Sequence, residues 1–413
     1  MRKREKMKVL LSFGLLLCLM LSLSTPLSAS ITNQDQQQYP LNQNDAEIQK
    51  ALGYLRTLQN NDGGFSNPGE ESALSNTQWT ILAIVATGED PHNWKKNGHS
   101  PIDYLRANAN KVTGSTDYER MILALIAAGE NPRDFAGRDF VKELKENYLK
   151  ENGQFSDFTY TTIWGILALS SAGDDVSKSV EWLKTQQNED GGFAWVTGER
   201  SDYDDTAAAI EALIAAGESP DSKAIRDAIE YLKTGQNTDG GFRYFGSSPS
   251  NAASDAWCIQ AIVACGQEDP QDKEWTVNGN NPVDHLLSLQ QPDGYFNYTS
   301  YIKSNPGYMT VCAIMALLGK PHPIKPQPQV QPEPTVTPTP TVTPTITSTP
   351  APASTSPQPT STPTATALTT ETPPESTDTK VAGFDFLSCI IGLLTVAFTV
   401  LIVAKVKPHD KSK

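Results

Sequence analysis

Histidine and cysteine are scarce in this chain, with five of each in 413 residues. The histidines (His92, His99, His285, His322 and His409) are scattered, and no cysteine pair has the spacing of a zinc-ligand set. No metal is therefore expected, and no motif calls for another cofactor. Positive charge is lacking where most of the chain lies. The net charge is −14, but residues 1–8 contribute +4 and 405–413 contribute +3. Residues 321–380 and 381–404 contribute −2 and −1, which leaves −18 on 9–320. A body this acidic repels phosphates instead of releasing counterions from them, which excludes nucleic acid as a partner. Long apolar runs are missing except at the two ends.

The N-terminal run has the order of an export signal. Arg2, Lys3, Arg4, Lys6 and Lys8 precede the apolar Val9–Leu23, and small residues follow at Ser28, Ala29 and Ser30. Residues 1–30 are thus predicted to be a signal peptide. At the other end, Phe386–Ala404 is 19 residues without a charge, enough to cross a bilayer as a helix. Lys405, Lys407, Lys411 and Lys413 follow, so the positive-inside rule places the tail in the cytoplasm and the body outside. Residues 381–413 are read as a single-pass anchor. Between body and anchor, 321–380 hold 16 of the 29 prolines among many Thr and Ser. That composition cannot pack a core and favours a disordered, extended stalk. A monomeric body, 31–320, is expected on the cell surface.

The body repeats itself. Gln-x-x-Asp-Gly-(Gly/Tyr)-Phe occurs at Gln59–Phe65, Gln187–Phe193, Gln236–Phe242 and Gln290–Phe296, with a worn copy at Glu151–Phe155. Each follows an amphipathic segment of helical period. Each is followed by an apolar, Ala-rich segment that ends in glycine, at Gly88, Gly173, Gly217, Gly266 and Gly319, and a sixth such segment, without a turn motif before it, ends at Gly129. Glycine suits a left-handed helix C-cap. The apolar segments lack a polar face; Thr206–Ala216 has only Glu211 charged. Helices apolar on all sides are buried on all sides. Six hairpins of outer helix, glycine turn and inner helix are therefore predicted, closed into an all-α α6/α6 toroid.

The turn motif after an aromatic-Leu helix (Tyr54-Leu55, Trp182-Leu183, Tyr231-Leu232) resembles the QW-type repeat of the prenyltransferase/squalene-cyclase superfamily. The resemblance covers about 46–320. It implies the toroid fold, which serves terpenoid cyclases, protein prenyltransferases, cobalamin carriers and thioester proteins, so fold alone does not name the activity.

Asp202-Tyr203-Asp204-Asp205-Thr206-Ala207 is similar to the DxDD-Thr-Ala motif of class II terpene cyclases. That likeness would make Asp204 the proton donor, with Asp202 and Asp205 as flanking partners. Crowded carboxyls in an apolar cavity cannot all ionise, and aromatic faces can steady a carbocation. A second reading stays open. Aligned on the helix ends, Asn76-Thr77, Thr161-Thr162 and Ser254-Asp255 fall at Asp205-Thr206, as N-cap residues would. Aromatic residues crowd the turns, and Trp195, Tyr203, Tyr244, Phe245, Trp257, Tyr298, Tyr301 and Tyr308 are the predicted ligand contacts. The leading expectation is a binding module for a small hydrophobic or ring-shaped ligand at the inner-helix mouth. The alternatives are a class II cyclase using Asp204 and a surface repeat module contacting protein or glycan. Cys258, Cys265 and Cys312 are expected in inner helices, as buried apolar residues or with Cys312 bridged to one of the others.

Overall fold

A computed structural model describes residues 38–266 and 269–325. The expected signal peptide, the C-terminal apolar run and nearly all of the Pro/Thr tract lie outside those residues. Among the described residues no helix is long and apolar enough to cross a membrane. Twelve α-helices form there, with isolated bridges and no longer strand.

The helices alternate in character. The outer ones are α1 (Ala46–Leu58), α3 (Pro101–Ala107), α5 (Phe140–Tyr148), α7 (Ser177–Lys184), α9 (Lys223–Lys233) and α11 (Pro282–Ser288). Each buries one stripe, such as Ile225, Ala228 and Leu232 of α9. The inner ones are α2 (Leu74–Ala86), α4 (Ser115–Ala127), α6 (Thr159–Ser171), α8 (Tyr203–Ala215), α10 (Ala252–Cys265) and α12 (Pro306–Leu317). These are buried around most of their circumference, as their lack of a polar face requires. All six terminal glycines take positive φ, from +61° to +91°. Cys258, Cys265 and Cys312 are buried, and among the described residues no disulfide joins them to one another.

Each inner helix packs on the next, and α12 packs on α2, so the ring closes. The pairing of outer helices differs from the predicted hairpin. Each outer helix packs on the inner helix before it, and α1 packs on α12. The first outer helix therefore seals the last repeat, a long-range contact that local patterns do not reveal.

The turns explain this spacing. The turn Phe is fully buried in every copy (Phe65, Phe155, Phe193, Phe242, Phe296), a contribution of about 1.5–3 kcal/mol each. The turn Asp accepts from the backbone two residues on and from a serine, as Asp190 does from Gly192 N (3.0 Å) and Ser201 Oγ (2.7 Å). The turn Gln reaches the following repeat: Gln187 donates to Ala224 O at 2.8 Å, and Gln290 donates to Glu47 O at 2.8 Å across the closure. Gly294 has φ +93°, and a Cβ there would collide with the Lys50 carbonyl. Glycine is thus required twice over at the seam, for its backbone angle and for the close approach.

Candidate functional site

One set of hydrogen bonds fixes the register of the inner helices. The turn Phe N–H donates to Thr77, Thr162, Thr206 and Thr310 at 2.8–3.2 Å, and in the fifth repeat to Asp255 Oδ1 at 2.6 Å. These residues are a clamp for the turn. They are not N-caps, which corrects the capping alignment made from sequence. The N-cap of α8 is Asp202, whose Oδ1 accepts from Asp205 N at 2.8 Å. Capping accounts for Asp202 and leaves Asp204 and Asp205 unexplained.

From that register the lumen can be read in layers. Two residues before the clamp stand Ser75, Tyr160, Asp204, Ala253 and Tyr308. Two residues after it stand Trp79, Trp164, Ala208, Trp257 and Cys312. Five residues after it stand Leu82, Leu167, Glu211, Gln260 and Met315. Trp79, Trp164 and Trp257 belong to alternate inner helices, yet their ring centroids lie 5.2–6.4 Å apart. Rings from non-adjacent helices can meet only across the centre. These three tryptophans therefore form a floor four residues, about 6 Å, below the Asp204 layer.

Above the floor the lining is incompletely covered, and this partly open end is called the cup. Asp204 is 8% exposed in its wall, and Tyr160, Trp164 and Tyr308 are partly exposed. The rim follows a rule of its own. The residue two after the turn Phe caps the preceding inner helix with its carbonyl: Trp195 O accepts from Thr159 and Tyr160 N–H, Tyr244 O from Tyr203, and Tyr298 O from Ala252, at 2.9–3.3 Å. Trp195, Tyr244 and Tyr298 are thereby held over the mouth, half-buried, with Phe158 stacked between Tyr160 and Trp195 at 5.3 and 5.6 Å.

Other predicted contacts fall elsewhere. Tyr203 turns outward, stacks on Tyr231 at 4.7 Å and meets Thr234 through its hydroxyl. Trp257 lies in the floor. Phe245 (41% exposed) leans on Tyr244, and Tyr301 (73% exposed) stands in solvent.

The acids are buried, and among the described residues no cation pairs with Asp202, Asp204 or Asp205. Asp202 Oδ2, Asp204 Oδ1 and Asp205 Oδ2 have no hydrogen-bond partner among the described residues. Burial pushes Asp204 up to about 8; Asp205 and Asp255 add to this, and a bond to Ser254 opposes it. Burial raises Asp205 to about 6, and raises Asp202 further with help from Asp205 and Asp204. Sequence reasoning missed Glu119 on α4. It is fully buried, bonded to Ser115 Oγ at 2.6 Å, raised by burial to about 8, and leaves Oε2 without a partner. Its signal was a carboxyl inside an apolar segment. Also missed was His285 of α11, whose Nδ1 lies 2.6 Å from Asp255 Oδ2, behind the clamp. Among the described residues, no group of three or more His, Cys, Asp or Glu could hold a metal ion.

Residues 19–120 and 134–331 match the family described as the prenyltransferase alpha-alpha toroid domain. The chain belongs to this family. Three solved structures illustrate the toroids it is similar to. The type II terpene cyclase MstE from Scytonema is 15% identical, with 66% of this chain and 96% of that one covered and a TM-score of 0.49. Candida albicans protein geranylgeranyltransferase-I is 12% identical, with coverage of 66% and 90% and a TM-score of 0.48. The ent-copalyl diphosphate synthase from Streptomyces platensis is 17% identical, with coverage of 60% and 50% and a TM-score of 0.44. No curated protein matches the chain. The buried acids Asp202, Asp204 and Asp205 lie at the end where the inner helices begin.

Proposed function

We propose that this toroid binds a small hydrophobic or ring-shaped ligand in the cup at the inner-helix mouth, as an exported, membrane-tethered body. Export and tethering rest on the terminal sequence runs. The binding reading rests on one observation, the cup itself: partly exposed Tyr160, Trp164 and Tyr308 around Asp204, a rim of Trp195, Tyr244 and Tyr298, and a tryptophan floor about 6 Å down. Apolar walls with a few polar groups suit such ligands. A cup this shallow accepts a flat ring or a chain terminus and does not enclose a whole polyene.

A second reading, proton donation by Asp204 to an alkene, is favoured by one fact. Asp204 is held neutral at about 8, with Oδ1 unpartnered. The full chain, melted with cyanocobalamin, farnesol and squalene in turn, separates the two. Binding stabilises the native state by mass action. A raised melting temperature with unchanged ligand supports binding. Conversion of squalene or geranylgeranyl diphosphate that stops in Asp204→Asn supports the acid. Neither effect with any probe leaves the surface-module reading.

A further inference from the structure

The segment after α12 does not leave the ring. The stalk was expected to begin at residue 321, but His322 and Ile324 are buried. The segment enters from the glycine-ended side, opposite the mouth. His322 N donates to Glu211 Oε2 at 2.5 Å, and Nδ1 lies 3.1 Å from the same oxygen. Gln260 Nε2 donates to Lys320 O at 2.9 Å. The imidazole stacks on Trp257 at 5.1 Å, and Trp79 and Trp164 meet it edge-on at 6.0 and 5.6 Å. Three alternate inner helices thus share one ring supplied by the chain's own C-terminal segment.

We propose that His322, packed beneath the three tryptophans, holds that floor in place and so sets the depth of the ligand site, so that the cup takes a flat ring or the terminal unit of an isoprenoid and rejects longer insertions. This rests on the ligand reading above. Glu211 and Gln260 stand three residues below the tryptophans, about 4.5 Å further in. Both are satisfied in part by the His322 segment, so the space a longer chain would need is already occupied. The imidazole covers the face of Trp257 and makes T-shaped contacts with Trp79 and Trp164, apolar surface an alkyl chain would use in its place. His322 is therefore a specificity residue that need not touch the reacting part of any ligand.

The test uses full-length protein in detergent, titrated with geraniol, farnesol and geranylgeraniol. Wild type is expected to gain little affinity beyond the first units. His322→Ala is expected to gain roughly tenfold or more on geranylgeraniol, from the extra methylenes buried. His322→Phe, which refills the tryptophan box, should restore the wild-type profile. If wild type binds and His322→Ala has the same length profile, the depth assignment falls and the ligand reading stands. If neither binds any probe, both fall. Binding by His322→Ala alone supports the plug and counts against a site open in wild type. A second measurement needs no variant. Wild type labelled with a prenyl alcohol bearing a diazirine at its tail should be marked on Trp164 or Tyr308. Marking on His322, Glu211 or Gln260 overturns the proposal.

Discussion

The two ends of the same six inner helices are built on opposite plans. At the mouth, every repeat with a turn motif makes the same bond from turn Phe to clamp residue, and departures from the pattern collect there. Asp204 stands where Ser75 and Ala253 stand in other repeats, and Asp255 replaces a clamp threonine and holds His285. At the glycine end the helices stop alike, and one non-repeated segment closes the lumen through His322. The repeated bonds build the ring, while the residues used once give it an open, acidic side and a sealed side. A repeat protein can keep polar atoms without partners at both ends, Asp204 Oδ1 at the mouth and Glu211 Oε1, Gln260 Oε1 and His322 Nε2 at the sealed side, because the remaining contacts hold the frame.

Substitutions should separate the two ends by size and sign. The largest loss is expected at the sealed centre: Trp257→Ala removes a ring that packs on Trp79, Trp164 and His322, and should cost about 3–5 kcal/mol in urea unfolding. Gly294→Ala comes next, at about 3 kcal/mol, because it combines positive φ with a collision at the seam. Gly69→Ala is the control, with similar φ and open space, and should cost about 1 kcal/mol. At the mouth the sign reverses. Asp204 is neutral in the fold up to about 8 and ionises near 4 when unfolded. Its contribution is therefore full below about pH 4 and is lost as pH rises through about 8. Asp204→Asn should flatten that fall and raise the melting temperature by a few degrees at alkaline pH. A variant less stable than wild type at pH 8 would show that the carboxylate is satisfied there. The smallest effect belongs to Tyr301→Ala, within about 0.5 kcal/mol, since the side chain is exposed.

Much of the ring was legible because its signals are local. The Asp-Gly turn, the buried Phe and the glycine stop lie within a few residues of one another, and the inner helices declare themselves by lacking a polar face. Asp204 was legible as a motif, but its burial and free oxygen were not. The pairing of each outer helix with the preceding inner helix was hidden, since α1 meets α12 only through closure. His322 was invisible for a different reason. Pro321-His322-Pro323 has the composition of the stalk that follows, and only Glu211, Gln260 and three distant tryptophans give it a place. Glu119 and Glu211 could have been suspected as lone acids in apolar helices, without any indication of what they face.

If the mouth of the lumen is a ligand site, Asp204 in its wall must be neutral and must sense the ligand. Following the Asp204 side-chain carboxyl by carbon-13 NMR between about pH 4 and 10, with and without a ligand that raises the melting temperature, tests it most directly. A midpoint near 8 that moves when the ligand is added is expected. A midpoint in the ordinary aspartate range, or one indifferent to the ligand, would contradict it.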